Sequence, residues 1–369
     1  MILSTDVFVI GGGPAGLAAA IAARQKGFTV MVADGSKPPI DKPCGEGLMP
    51  DAIAALEELG VHVTVSDGYP LRGINFVDAH SSATSTFPIG PGVGVRRTIL
   101  HAKMLERASA LGVKFLWQTP VVGIDAHNIK LAAGGSVNAR WIVGADGGQS
   151  RVRRWAGLEG SERHDSRFAC RAHFAVGPWS DVVEIYWADH SQAYVTPVSA
   201  TEVCVVIACE NSRLELRSAL RQFPELEKRL ATVALSRPHR GTITTMRNLS
   251  QVCRGNVALI GDASGSVDAI TGEGLSLSFQ QARALSEAMA ADDLSKYQKA
   301  HRSLARRPTF MARLLLLLDG RPRLRRRTLS AFAQHPEMFS RLTSIHVGET
   351  SPAHFVATGA MLGWHFLAA

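Results

Sequence analysis

Apolar runs punctuated by glycine divide the chain into three kinds of pattern. The N-terminal kind reads strand, turn, helix, strand. Val7, Val9 and Ile10 lie in a short apolar run of the sort a buried parallel strand requires. GGGPAG follows, then the alanine-rich LAAAIAARQ, then FTVMVA, which ends at Asp34. Pro50–Leu59 predicts a helix, and Gly73–Val77 and Ala83–Phe87 predict short strands around DAHSS. Ile99, Leu100, Met104 and Leu105 fall on one helical face, so Thr98–Leu111 reads as an amphipathic helix, with Val113–Leu116 as the strand after it. Asn128–Ala133 and Val137–Val143 form a hairpin around Gly134–Gly135. From Arg167 to Cys209 the pattern changes to alternation: RFACRAHFAV, DVVEIYWAD, QAYVTPV and EVCVVIAC. That alternation predicts an antiparallel sheet with Ile185 and Trp187 on one face and Tyr186 on the other. Arg213–Leu235 reads as polar and helical, Gly241–Ile243 and Asn256–Ile260 return as strands, and helices dominate from about Leu275 onward.

Composition narrows the class. Hydrophobic residues make up 46% of the 369 and charged residues 20%, ordinary for a soluble globular protein. No apolar run reaches the ~18 residues of a membrane span; the LLLLL within Met311–Leu318 is too short and is bounded by Arg313 and Asp319. The first strand begins almost at Met1, leaving no room for a signal peptide, so a cytoplasmic protein is expected, with membrane-peripheral attachment as a variant. The five cysteines form no C-x-x-C pair and the thirteen histidines no H-x-H or H-E-x-x-H, so neither a disulfide framework nor a metal site is expected. The net charge of +8 suits acidic lipids, an acidic carrier protein or cofactor phosphates. No nucleic-acid module or interleaved aromatic pattern accompanies it, which excludes nucleic acid as the partner.

The chemistry starts in the first turn. Gly11, Gly13 and Gly16 have the G-x-G-x-x-G spacing, with Pro14 and Ala15 opening the helix. Those glycines serve a tight turn, a close approach to a pyrophosphate and close helix–strand packing. The positive helix N-terminus can hold the pyrophosphate, and Asp34 ends the second strand where an acid accepts ribose hydroxyls. Three further motifs raise dinucleotide binding to FAD binding. They are VGADG at Val143–Gly147, NVALIGD at Asn256–Asp262, and Arg97 opening the amphipathic helix. An apolar strand stopping at Asp262 presents a carboxylate to a sugar-like hydroxyl chain. Gly272 and Gly274 then let backbone approach a flat ring, and a positive helix end at about Leu275 suits a reduced flavin. The predicted fold is therefore α/β: a Rossmann-type FAD-binding domain with an inserted antiparallel β-sheet substrate domain and a helical C-terminal region. The boundaries expected are 1–75, 93–165 and 241–290 for the FAD domain, 76–92 and 166–240 for the sheet domain, and 291–369 for the helices.

On these motifs, over roughly residues 5–290, the chain resembles the FAD-dependent aromatic hydroxylases of the para-hydroxybenzoate hydroxylase fold, and more closely their geranylgeranyl reductase-like branch. The resemblance implies that Gly11, Gly13, Pro14, Ala15, Gly16 and Asp34 hold the ADP half. It further implies that Arg97 reaches the pyrophosphate, Val121 offers backbone to the adenine, and Asp262 binds ribityl or ribose hydroxyls. Gly272, Glu273, Gly274 and Leu275 would line the isoalloxazine, and Asp146, in the D-G motif, would support the fold and the pyrophosphate region. Gly265 stands where hydroxylases often carry histidine or proline in G-D-A-A-H-P, a departure toward the reductase-like branch. KPCGEGLMP, Lys42–Pro50, is similar to that branch's C-G-x-x-L segment, which places Cys44 and Gly45 beside the ring. Cys44 is then a tuning or proton-donating thiol, or inert packing. Glu46 and Glu273 are the carboxylates that approach the ring, Glu273 as proton relay or as backbone cap. The W-x-W-x-I-P segment of halogenase relatives is absent, and Trp179 and Trp187 read as pocket or core residues.

On the substrate side, His173, His190, Tyr186 and Tyr194 are the polar candidates of the alternating sheet. Arg321, Arg323, Arg325, Arg326 and Arg327 make a basic patch, either a solvated face or the contact for an acidic carrier protein or membrane surface. NAD(P)H is expected as a transient reductant. The leading expectation is a monooxygenase hydroxylating a small hydrophobic, aromatic, polyketide- or lipid-like substrate with NAD(P)H and oxygen. A reductase of isoprenoid double bonds is the alternative, and a flavoprotein that modifies a partner protein is the third reading.

Overall fold

A run of parallel strands forms the spine of the larger sheet. In the computed structural model, which describes residues 3–160, 166–210 and 215–349, Leu3–Ile10 is central, between Val30–Ala33 and Ser136–Gly144. Lys114–Leu116 extends the sheet on one side and Val257–Leu259 on the other, both parallel to their neighbours. Val7, Phe8 and Val9 are all fully buried, as a strand covered on both faces must be. The helix Pro14–Gln25 packs against both Arg97–Ala110 and Gly274–Ala290. Its run Leu17–Ala23 is wholly buried, and the small alanine side chains let the neighbouring backbones come close. The predicted hairpin is present, with Asn128–Leu131 antiparallel to Ser136–Gly144 and Ile129 opposite Val137.

The second sheet runs in the order Leu235–Thr245, Ser166–Phe174, Glu202–Cys209, Ser191–Ser199, Val183–Ala188, Gly73–Val77, Ser82–Thr86. It is antiparallel except where Val183–Ala188 meets Gly73–Val77. Alternation does what the sequence predicts. Ile185 and Trp187 pack with Ile74 and Phe76 against the C-terminal helices, while Tyr186 joins Phe174, Val195 and Val205 under Leu216–Leu220 and Pro224–Leu230. A small third sheet of Gly47–Leu48, Gly92–Gly94 and Tyr69–Leu71 sits beside these strands, with Gly47 close to Val183 and Thr196.

Two expectations change. The helical stretch foreseen over Arg213–Leu235 is two short helices within 216–230, and Leu235 already begins a strand. Gly241–Ile243 is the middle of that strand, Leu235–Thr245, and pairs with Ser166–Phe174 in the second sheet instead of returning to the first. Most of its side chains are exposed, so no apolar run marked it; the ladder to Ser166–Phe174 is what holds it. The second sheet thus begins at Gly73 and ends at Thr245, beyond the expected segments at both ends.

Beyond the sheets come Leu294–Asp319, Pro322–Gln334 and Pro336–His346. Met311, Leu315, Leu318, Leu329, Phe332, Phe339 and Leu342 bury against the Ile185/Trp187 face. The apolar segment HFVATGAMLGWHFLAA lies outside the described residues. The long helix Leu294–Asp319 is also tied to the first sheet. Its fully buried Tyr297 donates from the phenol to Leu259 O at 2.8 Å, and His301 Nε2 lies 2.9 Å from Ser264 Oγ. Tyr297→Phe leaves the Leu259 carbonyl without that buried donor, and should cost ~1–3 kcal/mol in a denaturant titration. A loss below about 0.5 kcal/mol would mean that this bond does not hold the helix down.

Candidate active site

The C-terminal ends of Leu3–Ile10, Ser136–Gly144 and Val257–Leu259 converge, which is where open α/β sheets bind ligands. Ala145 N donates to Ile10 O and Ile260 N to Gly144 O, so the glycine turn, the VGADG motif and the NVALIGD motif meet at one edge. The turn is as tight as the spacing predicts. A Cβ on Gly16 would stand 1.9 Å from Gly11 O, so only glycine lets the helix start against the turn. The helix it opens, Pro14–Gln25, has no side-chain cap and no acid in its first turn, leaving its N–H groups for an anion. Asp34 accepts from Gly12 N at 2.8 Å and Ser36 N at 2.7 Å, which aims its carboxylate at the turn.

Arg97 begins the helix Arg97–Ala110, and its buried Nε meets no acceptor among the described residues. His101, one turn on, is fully buried and donates from Nε2 to Gly12 O at 2.9 Å. Burial, with Arg97 nearby, holds the imidazole below its usual range and therefore neutral. Sequence reasoning passed over this histidine, although a polar residue within the apolar face of the helix was a visible signal. Asp262 lies in the short 3-10 turn Gly261–Ser264. Its side chain is open to solvent yet ringed by protein, and that surround pushes its carboxyl above the ordinary range against the pull of Arg97 and Lys42. Gly265 follows with φ +116°, and a Cβ there would lie 2.8 Å from Arg247 O. The departure from the hydroxylase pattern is thus dictated by backbone.

Two loops face each other beyond this edge. One is Lys42–Met49. Cys44 is half-buried, its Sγ accepting from Glu46 N at 3.5 Å, and Gly45 is exposed. Glu46 is buried in the left-handed region at φ +60°. Its Oε1 accepts from Arg97 N at 3.0 Å and from Arg171 Nη1 at 3.2 Å, and its Oε2 lies 2.7 Å from His173 Nε2. Arg171 also grips Asp41 in a two-pronged contact at 2.7 and 2.9 Å, which drives the Asp41 carboxyl below its usual range. Cys204 completes the cluster, its thiol pushed well up by burial. Glu46, His173 and Cys204 bring an O, an N and an S within 4.8 Å of one another. Arg171 beside the same carboxylate makes this an ionic latch, a poor setting for a cation.

The other loop is Asp268–Glu273. Gly272 takes φ +68°, and Gly274–Ala290 then starts with no side-chain cap, a second open helix N-terminus. Glu273 does not cap it. Its buried carboxyl turns toward Arg307 Nη2 at 3.3 Å and His346 Nδ1 at 3.5 Å, and Arg307 also reaches Asp51 at 2.9 Å. Burial raises the Glu273 carboxyl to about 8 despite Arg307, and lowers His346 to about 4. Between the loops lies a small apolar pocket of about 20 Å³, lined by Met49, Phe76, Ile270, Met311 and Phe339, with Thr271, Thr343 and His346 its polar members.

The remaining predicted residues lie around and beyond this edge. Asp146 accepts from Ser150 Oγ, Arg151 N and Val152 N, so its carboxylate caps the helix Arg151–Trp155. Val121 is buried at the edge of the hairpin beside the Asp34 loop. Leu275 is half-buried in the first turn of its helix. Tyr186 bonds Glu184 on the far face of the second sheet, and His190 is exposed. Tyr194 is half-buried near Arg167, its hydroxyl buried and without a partner among the described residues. In the basic patch Arg325 is buried, over the Trp187 ring; Arg321, Arg323, Arg326 and Arg327 are exposed.

This edge is a dinucleotide site of the flavoprotein class. The residues fit FAD: two open helix N-termini and Arg97 suit its pyrophosphate and reduced ring, while Asp34 and Asp262 suit its hydroxyls. A Cβ on Gly13 or Gly274 would meet nothing within 4 Å, so both helix starts are accessible. The profile of the family described as "FAD binding domain" matches residues 4–295, and the chain belongs to that family. It is an FAD-dependent oxidoreductase. It is 28% identical over 327 residues to Menaquinone reductase from Mycobacterium tuberculosis, covering 79% of this chain and 78% of the relative. It is 23% identical over 330 residues to Digeranylgeranylglycerophospholipid reductase 1 from Methanococcoides burtonii, covering 80% and 79%. Among solved structures, p-nitrophenol 4-monooxygenase PnpA from Pseudomonas putida shares the fold with a TM-score of 0.79 at 18% identity, covering 95% of this chain and all of that one. Among the described residues no helix is long and apolar enough to cross a membrane.

Glu46→Ala strips an acceptor from Arg97 N, Arg171 and His173 at once. Arg171 keeps Asp41, so the loss is that of the buried donors left unsatisfied, ~1–3 kcal/mol in denaturant, with lower FAD retention through gel filtration. Full stability and a full flavin complement in this variant would remove the latch from the account.

Proposed function

We propose that this protein is a reductase that saturates a carbon–carbon double bond in a long apolar substrate of the quinone or isoprenoid-lipid class. The observation that carries the reading is the Glu273 carboxyl, held in its acid form up to about pH 8 behind a pocket whose walls are almost entirely apolar. Reduced FAD, when bound, supplies the hydride equivalent, and NAD(P)H is the proposed reductant. The side chains supply the rest. Met49, Phe76, Met311 and Phe339 exclude water from a space of about 20 Å³, which admits an apolar chain only where these flexible side chains move apart. Glu273 keeps the proton that the second carbon needs, and Arg307 fixes the carboxyl. His346, neutral at physiological pH, lines the pocket with its Nδ1 3.5 Å from Glu273 but not hydrogen-bonded to it, and in this reading a small shift of either side chain makes it the relay between them.

A phenol hydroxylase needs polar groups to hold and ionise its substrate, and the pocket lining offers two threonines and one neutral histidine. The reductase names of the two sequence relatives support the same choice over hydroxylation.

The experiment is anaerobic turnover of the NAD(P)H-reduced holoenzyme with a prenyl quinone, read by mass of the product. A gain of two hydrogens without oxygen is expected. Oxygen-dependent NAD(P)H consumption with oxygen insertion would replace this reading with the monooxygenase. Because the acid form is the active one, kcat should fall as pH rises through about 8. Glu273→Gln should lower kcat by roughly 10²–10³ and abolish that limb, while flavin reduction by NAD(P)H is unchanged. A Gln variant that retains both rate and pH limb rules Glu273 out as donor.

A further inference from the structure

The chain's positive charge is concentrated in one layer. Leu294–Gln334, which spans the helices Leu294–Asp319 and Pro322–Gln334, carries nine arginines and two lysines against one acid, Asp319. That is a net +10 where the whole chain has +8, so all the other residues together sum to −2. Asp319 is buried and turns inward to Arg167 at 3.5 Å, so it takes no part in the surface.

Exposed arginines are common on solvated faces, and their number alone decides little. Their arrangement along Leu294–Asp319 decides more. At 3.6 residues per turn, Arg302, Arg306, Phe310, Arg313 and Leu317 fall within about 80° of one another around the helix. All five are exposed, Phe310 and Leu317 each at 41%. Arg306 and Arg313 enter no ion pair among the described residues, and the row contains no acid. The opposite side of the same helix carries Met311 and Leu315, which line the inner pocket beside Glu273.

A row in which arginine alternates with phenylalanine and leucine fits a surface that offers negative charge and apolar depth together. The interface of an anionic bilayer offers both. Guanidinium groups meet lipid phosphates there, while apolar side chains reach the acyl boundary. An acidic protein would satisfy the arginines but would need an apolar patch of its own in register with Phe310 and Leu317.

We infer that the outer face of Leu294–Asp319 is a membrane-docking surface, which lays this helix along an anionic lipid bilayer. The inference stands on surface charge and exposure and does not depend on the reaction proposed above. It draws the contact from the row Arg302–Leu317, since in the run Arg321–Arg327 Arg325 is buried over Trp187. It sets Met311 and Leu315 one helix thickness, about 10 Å, from the lipid. An enzyme docked in this way meets apolar molecules at the concentration they reach in the bilayer.

The test is flotation of the FAD-loaded protein with vesicles of phosphatidylcholine alone and of phosphatidylcholine mixed with phosphatidylglycerol. Binding is expected to the anionic vesicles only, and should fall away in ~1 M salt, where the Debye length is about 3 Å. Each basic residue at such a surface contributes about fivefold, so Arg306→Gln with Arg313→Gln should weaken partition roughly 25-fold. Leu317→Ser should weaken it about three- to tenfold. Lys26→Gln with Lys130→Gln removes the same charge from exposed positions of the nucleotide unit and should change partition by less than about twofold. Flavin absorbance and melting temperature report that each variant is folded and loaded. Equal losses in the two double variants would mean that only total charge is read, and equal binding to both kinds of vesicle that charge is not read; either overturns the inference. Absence of flotation also overturns it, and leaves the row to an acidic protein.

Discussion

The Glu46 carboxylate is the constraint on which the site depends. It is buried, so it must be paired, and its partners come from different units: Arg97 N opens a helix of the nucleotide unit, while Arg171 and His173 project from the second sheet. A buried carboxylate that lost these partners would be strongly unfavourable, so the two units cannot separate or slide without cost. The residue also holds a left-handed backbone conformation that its side chain would not choose alone. What that geometry delivers is a fixed backbone around Cys44 and Gly45, with Cys44 Sγ accepting from Glu46 N and Cys44 O from the Cys204 thiol. Electrostatics here acts as a positioning device, and the apolar core around it supplies most of the stability.

Similar motifs are put to different uses once that frame is set. VGADG and NVALIGD both end a parallel strand in an acid, and from sequence alone both acids look like ligands. Asp146 spends its carboxylate on Ser150 and the N–H groups of a short helix, which stiffens the turn beneath the edge. Asp262 has no such helix to cap and stays open, facing Arg97 and Lys42. Glu273 shows the converse. A glutamate just before a helix suggests a cap, but its side chain turns inward to Arg307 and His346, leaving the helix N-terminus open.

Much of the fold was legible because its signals are local. The buried strand Val7–Ile10, the amphipathic helix from Arg97, the hairpin at Gly134–Gly135 and the two faces of Val183–Ala188 follow from periodicity and turn chemistry. The nucleotide half of the site was legible for the same reason, since the glycine turn, the helix and Asp34 lie within a single βαβ unit. What could not be read were pairings across long stretches of chain. Nothing near Glu46 announces Arg171 or His173, and nothing near Glu273 announces His346. The strand Leu235–Thr245 was missed because its exposed side chains carry no apolar rhythm and only backbone pairing defines it.

The inner pocket draws its walls from both sides of a boundary in the chain. Met49, Phe76 and Ile270 lie within the segment matched by the FAD-binding family, which ends at residue 295. Met311, Leu315, Phe339, Leu342 and His346 come from helices beyond it. The segment inside the family profile thus carries the residues that fit the cofactor, and the helices beyond it complete the pocket wall and contribute the histidine 3.5 Å from Glu273. In this chain the exclusion of water from the pocket is set by the helix face that lies over the pocket sheet. Here that face is leucine, methionine and phenylalanine, with one neutral histidine at its inner end. Such a wall disfavours any polar group except beside Thr271, Thr343 or His346, its polar members.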